Sequence, residues 1–283
     1  MILVDLNLSR RLERAEGNAC REFAEARQKL YPEFAATWRE IGGGVAVYDG
    51  ADSPITQCLG LGVAQPLIAE ILDDVETFFT ERGAHTDLEL SPLAGVDALT
   101  LLCARGYHPI EISSVLVGQT STSARDLQVA PSASTVAVAA DTTLWSQVST
   151  EAWAAELPDL RPFLEQMGTL QSNREHSVAF LAYYEGTPAA AALLSLHDGI
   201  AMFAGAATLP AYRRKGLQAA LLQARMQYAQ AHNCDLAMMV AEAGSGSQRN
   251  AQRQGFQIAY TRLKWRKEAP GPARPPAQEP PPE

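Results

Sequence analysis

No cysteine in this chain has a partner close by in sequence. Cys20, Cys58, Cys103 and Cys234 lie far apart, with no Cys-x-x-Cys pair and no Cys/His cluster. That spacing argues against a zinc motif and a secreted disulfide framework, and points to reduced, mostly buried thiols in a cytoplasmic protein. The five histidines, at 85, 108, 176, 197 and 232, show no ligand spacing either, so no metal is expected. No apolar run approaches the ~20 residues of a membrane span. The opening MILVDLNLSRRLERAEG has no basic segment followed by an apolar core, so neither a membrane segment nor a signal peptide is expected. Positive charge is also scarce. Lys and Arg number 23 against 32 Asp and Glu, a formal charge of −9, which argues against broad nucleic-acid binding and is compatible with a cationic partner such as an amine. Two glycine turns lack what their motifs need. Gly60-Leu61-Gly62 has no third glycine and Gly244-Ser245-Gly246-Ser247 no following lysine, which argues against a dinucleotide fold and a P-loop.

What is present divides in two. At ~150 residues per domain, a chain of 283 residues suggests two domains. Residues 6–38 are helix-rich by periodicity, interrupted at Pro32. Strands are expected at 45–48 and 55–63, a helix at 66–82, a strand at 87–90, a helix at 96–105 and a strand at 110–117. The polar stretch QTSTSARDLQVAPSA reads as an interdomain linker. Beyond it, strands are expected at 136–139, 178–184, 189–197, 200–208, 235–240 and 257–265, with helices at 142–147, 159–171, 216–231 and 247–254. The tail APGPARPPAQEPPPE cannot bury enough apolar surface to order itself and is expected to be disordered. The resulting division is 1–118, a linker 119–133, 134–268 and a Pro-rich tail 269–283.

Laid over one another, the two halves share landmarks. Tyr48-Asp49-Gly50 meets His197-Asp198-Gly199, Leu88-Glu89-Leu90 meets Ala237-Met238-Met239, and Arg105-Gly106-Tyr107 meets Gln254-Gly255-Phe256. The pattern suggests an internal duplication. The halves differ at one turn. The first has Val63-Ala64-Gln65-Pro66-Leu67 where the second has Tyr212-Arg213-Arg214-Lys215-Gly216. In the second half a strand runs into Pro210, three cations, a glycine and then a helical pattern. Free N–H groups at a helix start, with the dipole behind them, favour an anion, and Gly216 lets a backbone come close to a ligand. A phosphate site is therefore expected in the second half.

Over residues 136–265 this half resembles the GNAT acyltransferases, the Gcn5-related N-acetyltransferase superfamily. The resemblance is carried by Pro210-Ala211-Tyr212-Arg213-Arg214-Lys215-Gly216-Leu217, similar to the family's basic glycine turn, and by Ser247-Gln248-Arg249-Asn250 leading to Gly255-Phe256. Gln218 stands where the family usually has glycine or alanine. The implied fold is α/β, of the α+β kind: two tandem GNAT-like domains, each a mixed twisted sheet flanked by helices, the first copy degenerate. The implied activity is N-acetyl transfer from acetyl-CoA to an amine of a small molecule, peptide or protein; the alternative is an acyl-CoA-binding sensor or scaffold without turnover. By resemblance, backbone groups near Ala206, Ala207 and Thr208 pair with the pantetheine and polarise the thioester. Amides of Arg214, Lys215, Gly216, Leu217, Gln218 and Ala219 hold the pyrophosphate, Arg213 adds charge, and Asn250 touches the CoA arm. Glu242, just past a splayed strand, is the candidate base. The family's usual tyrosine acid falls at Ala251, which leaves Tyr260 and Tyr212 as candidate donors. The first half is left with two roles, closing the acceptor cleft or mediating a homodimer.

Overall fold

Pro32 stops the first helix. In the computed structural model, which describes residues 2–121 and 133–269, α1 (Leu6–Leu30) starts at Asp5, whose carboxylate accepts from the Leu8 N–H. It ends before a proline that has no N–H to give and that keeps Tyr31 out of helical geometry. The helical reading of residues 6–38 thus runs too far: a 3-10 turn follows, and Trp38 lies in strand β1 (Thr37–Ile41). β1 pairs antiparallel with β2 (Gly44–Tyr48). The strand expected at 55–63 shrinks to β3 (Gln57–Leu59), because Gly60 and Gly62 take positive φ and turn the chain. The first half continues through α2 (Ala69–Thr80), β4 (Thr86–Leu90), α3 (Val96–Ala104) and β5 (His108–Gln119). β5 thus takes in the first residue of the expected linker; residues 122–132 of that linker, and 270–283 of the expected tail, lie outside the described residues.

The second half opens with β6 (Ser134–Val138), α4 (Thr142–Ala154) and α5 (Arg161–Ser172). It continues as β7 (Ser177–Tyr184), β8 (Thr187–His197), β9 (Ile200–Thr208) and α6 (Leu217–Ala231). It closes with β10 (Leu236–Glu242), α7 (Gly246–Arg253) and β11 (Gln257–Lys267). From β7 onward this order repeats that of the first half from β1 onward. No helix among the described residues is long and apolar enough to cross a membrane.

All the strands join one sheet, in the order β1-β2-β3-β4-β11-β5-β10-β9-β8-β7-β6. The order reveals an exchange that local sequence does not carry. β11 lies between β4 and β5, and β5 lies between β11 and β10, all antiparallel. Each half therefore gives its last strand to the sheet of the other, about a pseudo-twofold between β5 and β11. Each half keeps one parallel pair of its own, β3 with β4 and β9 with β10. One apolar core gathers Leu88, Leu72 and Phe79 under α2, and another gathers Leu194, Leu221 and Ala237 under α6. α1 packs along the middle, with Leu12 against Val115, Val117 and Ile200.

The exchange is fastened by buried charge. Arg262 on β11 has no exposed side-chain surface; it donates to Glu13 (2.9 Å) and Glu16 (2.6 Å) on α1. Its Nε lies 2.9 Å from Glu89 Oε2 on β4, although the N–H is not aimed along that line. Tyr260 donates to the same Glu13 carboxylate at 2.7 Å. Burial raises Glu16 to about 7 despite the pull of Arg262, with Glu89 and Glu13 adding repulsion.

Candidate active site

β9 and β10 run parallel only at their starts. Ile200, Ala201 and Met202 pair with Leu236, Ala237 and Met238, and the strands then part. β10 keeps its other neighbour, β5, down to Glu242. The register of β9 on β8 slips between Leu193/Ala204 and Ala191/Ala207, a bulge at which Gly205 takes φ +57°. From Phe203 to Thr208, β9 thus presents to β10 a backbone edge with no strand partner.

Two buried side chains fix the bulge from the flanking helices. Trp145 on α4 donates its indole N–H to the Ala192 carbonyl (3.0 Å). Arg225 on α6, almost wholly buried, donates to the carbonyls of Leu193 (3.0 Å), Ala204 (3.4 Å) and Leu221 (3.2 Å), and lies over the Phe203 ring. With carbonyls rather than a carboxylate for partners, burial lowers the guanidinium to about 9, and it keeps its charge at neutral pH.

The turn after β9 makes the other end of the site. A 3-10 turn at Pro210–Tyr212 leads into Arg214 at φ +64° and Gly216 at φ +76°, with Lys215 between. Left-handed residues at this spacing turn backbone N–H groups to one side. Left-handed geometry costs a non-glycine residue ~1–2 kcal/mol, and such strain concentrates at functional sites. α6 then begins without a side-chain cap, and its first intrahelical bond is Ala220 N–H to Gly216. The N–H groups of Leu217, Gln218 and Ala219 precede that bond and point out of the helix start. Gln218 reaches across to Thr208, its Nε2 2.8 Å from Oγ1, so the side chain standing in place of glycine or alanine bridges to the end of β9. Arg213 pairs with Glu156 at 2.9 Å, and Lys215 lies 4.1 Å from the Tyr184 ring centroid.

The splay, the bulge and the turn open on one cavity of about 750 Å³. Of the expected binding residues, Ala206, Ala207, Thr208, Arg213, Arg214, Gly216, Leu217, Gln218, Ala219 and Asn250 line it; Lys215 stands beside it on Tyr184. Local sequence did not point to Trp153 of α4, to Glu156 just past its end, or to Arg225. Arg225 had a signal: it stands one helical turn beyond Leu221 on the apolar face of α6, where a cation is out of place. Ala251 lines the cavity as part of the core.

The two expected acid–base residues are not brought together. Glu242 is exposed at the end of β10, opposite Ser113 of β5, outside the cavity lining. Tyr260 is drawn away by the strand exchange. It is buried on β11 with its hydroxyl on Glu13, and burial beside that carboxylate raises its pKa far above the ordinary phenol value. Tyr212, the other candidate donor, does line the cavity.

Residues 142–256 match the acetyltransferase (GNAT) family model. Within the C-terminal half, that stretch is similar to GNAT domains from α4 to the start of β11. The fold of the whole chain recurs in solved structures. A GCN5-related N-acetyltransferase from Kribbella flavida is 20% identical, over 90% of this chain and 96% of that one, with a TM-score of 0.61. A tandem GNAT protein from the clavulanic acid biosynthesis pathway is 13% identical, over 93% and 96%, also at 0.61. A functionally unknown conserved protein from Staphylococcus epidermidis ATCC 12228 is 12% identical, over 86% and 97%, at 0.59. Identities this low speak for the fold alone. No curated protein matches the chain in sequence.

Proposed function

We propose that the C-terminal half transfers an acetyl group from acetyl-CoA to an amine. The observation that carries this reading is the meeting, in one cavity, of an uncapped helix N-terminus and the unpartnered edge of β9. The residues suit the cosubstrate. A pyrophosphate is matched by the N–H groups of Leu217, Gln218 and Ala219 and by the charge of Arg214, with Arg213 and Lys215 beside it. An amide-containing pantetheine arm is matched by an open strand edge, which pairs with extended chains. Asn250 and the apolar wall of Leu222 and Met239 complete the slot.

In this reading the bulge aims backbone groups of β9 at the thioester, where prearranged donors stabilise the negative charge that develops on the carbonyl oxygen. The amine nitrogen attacks the carbonyl carbon, the C–S bond breaks, and the thiolate leaves. An amine of pKa ~10 must first give up a proton. Glu242, at the open end of β10, is assigned that proton through intervening water. With Tyr260 committed to Glu13, the thiolate takes its proton from water or from Tyr212; a thiol of pKa ~8.5 is a tolerable leaving group.

Release of CoA thiol from acetyl-CoA across a panel of amines tests the activity, and calorimetry with CoA tests the site. Gly216→Glu puts a carboxylate and a strained residue at the anion site, and is expected to weaken CoA at least tenfold while the fold is kept. Unchanged CoA binding in that variant would overturn the site assignment. CoA binding without thiol release on any amine would favour the acyl-CoA sensor instead.

A further inference from the structure

A second polar cluster lies at the far end of the sheet. β9 starts beside it at Ile200 and reaches the cavity at Ala206, so about 20 Å of strand separates the two. Three residues distant in sequence meet there: Glu22 on α1, His176 just ahead of β7, and His197 at the end of β8. The Glu22 side chain is buried; its Oε1 is 2.5 Å from His176 Nδ1, and its Oε2 accepts from the His176 backbone N–H at 3.3 Å. The His197 side chain is 5% exposed, and its Nε2 faces Glu22 Oε2 at 3.8 Å with no hydrogen-bond partner. The ligand-type atoms of the three residues all lie within 4.8 Å of one another.

A buried imidazole nitrogen with a free lone pair or an unsatisfied proton is costly unless something joins it. We propose that Glu22, His176 and His197 bind a divalent transition-metal ion, zinc above all, that staples α1 of the first half to β7 and β8 of the second. Two imidazoles and one carboxylate are a zinc donor set, and a tetrahedral ion with ~2.0–2.1 Å bonds sets its ligand atoms about 3.3 Å apart. Binding therefore needs separations of up to 4.8 Å to close toward that value and the 2.5 Å His176–Glu22 contact to open, a rearrangement the half-exposed His176 ring can supply. The same exposed side leaves the fourth position to water. Arg174 sets a limit on affinity. It is buried beside the cluster, where it donates to Ala19 O (3.0 Å) and Ser195 Oγ (2.5 Å), and its charge opposes a cation. Arg21 adds to that opposition. The site is thus weaker than a four-ligand structural zinc site.

The test uses the full chain carrying Cys103→Ser, so that the exposed thiol does not contribute. After chelation and desalting, Zn²⁺ is titrated at pH 7.5 by calorimetry, and Co²⁺ is followed by visible absorption. One equivalent of Zn²⁺ is expected, with a rise in Tm that grows with free zinc and a cobalt spectrum of tetrahedral type. His176→Ala is expected to weaken zinc at least tenfold and erase the cobalt spectrum, with the metal-free Tm of the variant measured as the control for the Glu22 contact it removes. His197→Gln should do the same. No zinc bound, or equal binding in His176→Ala, overturns the proposal.

Discussion

Arg262→Met tests whether buried charge fastens the exchanged strand. Methionine keeps most of the volume and leaves Glu13, Glu16 and Glu89 without the guanidinium that lies against all three. Breaking a buried pair by removing one partner costs ~3–5 kcal/mol. With a urea m-value near the upper end of ~1–3 kcal/mol/M for a chain of this size, the unfolding midpoint should fall by about 1–2 M. The loss should depend on pH. Without the cation the cluster can shed charge only by taking up protons, so the variant should be hurt more at pH 8 than at pH 5.5. The intact protein carries a related signature. Its Glu16 is raised from 4.5 to about 7 by folding. A folded pKa above the unfolded one contributes stability that is present below about 4.5 and is lost as pH rises through about 7. The contribution is about 3 kcal/mol if the whole shift is expressed. Glu16→Gln should therefore flatten the fall in stability between pH 5 and 7.5. Urea titrations followed by tryptophan fluorescence at both pH values measure all of this. A loss in Arg262→Met below ~1 kcal/mol, or one equal at the two pH values, would refute the reasoning.

Tyr260→Phe should leave the rate of CoA thiol release within twofold of the parent and lower stability by about 1–2 kcal/mol, because Glu13 loses a donor; a hundredfold loss of rate with unchanged CoA affinity would restore the tyrosine to the chemistry. Arg225→Met removes the donors that hold the Leu193 and Ala204 carbonyls at the bulge. Its kcat should fall tenfold or more while CoA affinity, set mainly at the α6 turn, changes less than threefold by calorimetry. Residues 134–268 expressed alone lack β5 and leave the facing edges of β10 and β11 unpaired. Such a fragment should dimerise or aggregate on a sizing column, and a stable, folded monomer would contradict the exchange.

Much of this was legible because it is local. Asp49-Gly50, Asp198-Gly199 and Gly216 mark chain reversals or a helix start through backbone preferences that a few residues determine. The cavity lining at Ala206, Gly216 and Asn250 follows from such features once the family resemblance orders them. The illegible parts depend on residues far apart. β5 and β11 each read as an ordinary last strand, and nothing in either says that it joins the other half's sheet. Tyr260 illustrates the consequence: its local pattern is that of a strand tyrosine, and only the exchange sets it beside Glu13. Periodicity alone places Trp38 in the first helix, whereas Pro32 and the β1–β2 pairing place it in a strand.

The exchange also changes what the first half does for the second. The parallel pair β3–β4 corresponds to β9–β10, yet the turn after β3 carries Leu61, Val63 and Leu67, all buried. Arg10 on α1 donates to the Val63 carbonyl, and a Cβ on Gly60 would meet the Cβ of Glu13 at 3.7 Å. The first half thus packs core side chains and α1 where the second half keeps an opening. Its remaining link to the chemistry is β5, which pairs with β10 from Leu236 through Glu242. Where β10 has parted from β9, β5 is the neighbour that fixes its path, and with it the width of the cavity at Met239. The first half lines none of the cavity, and it bears on that cavity through the strand that backs β10.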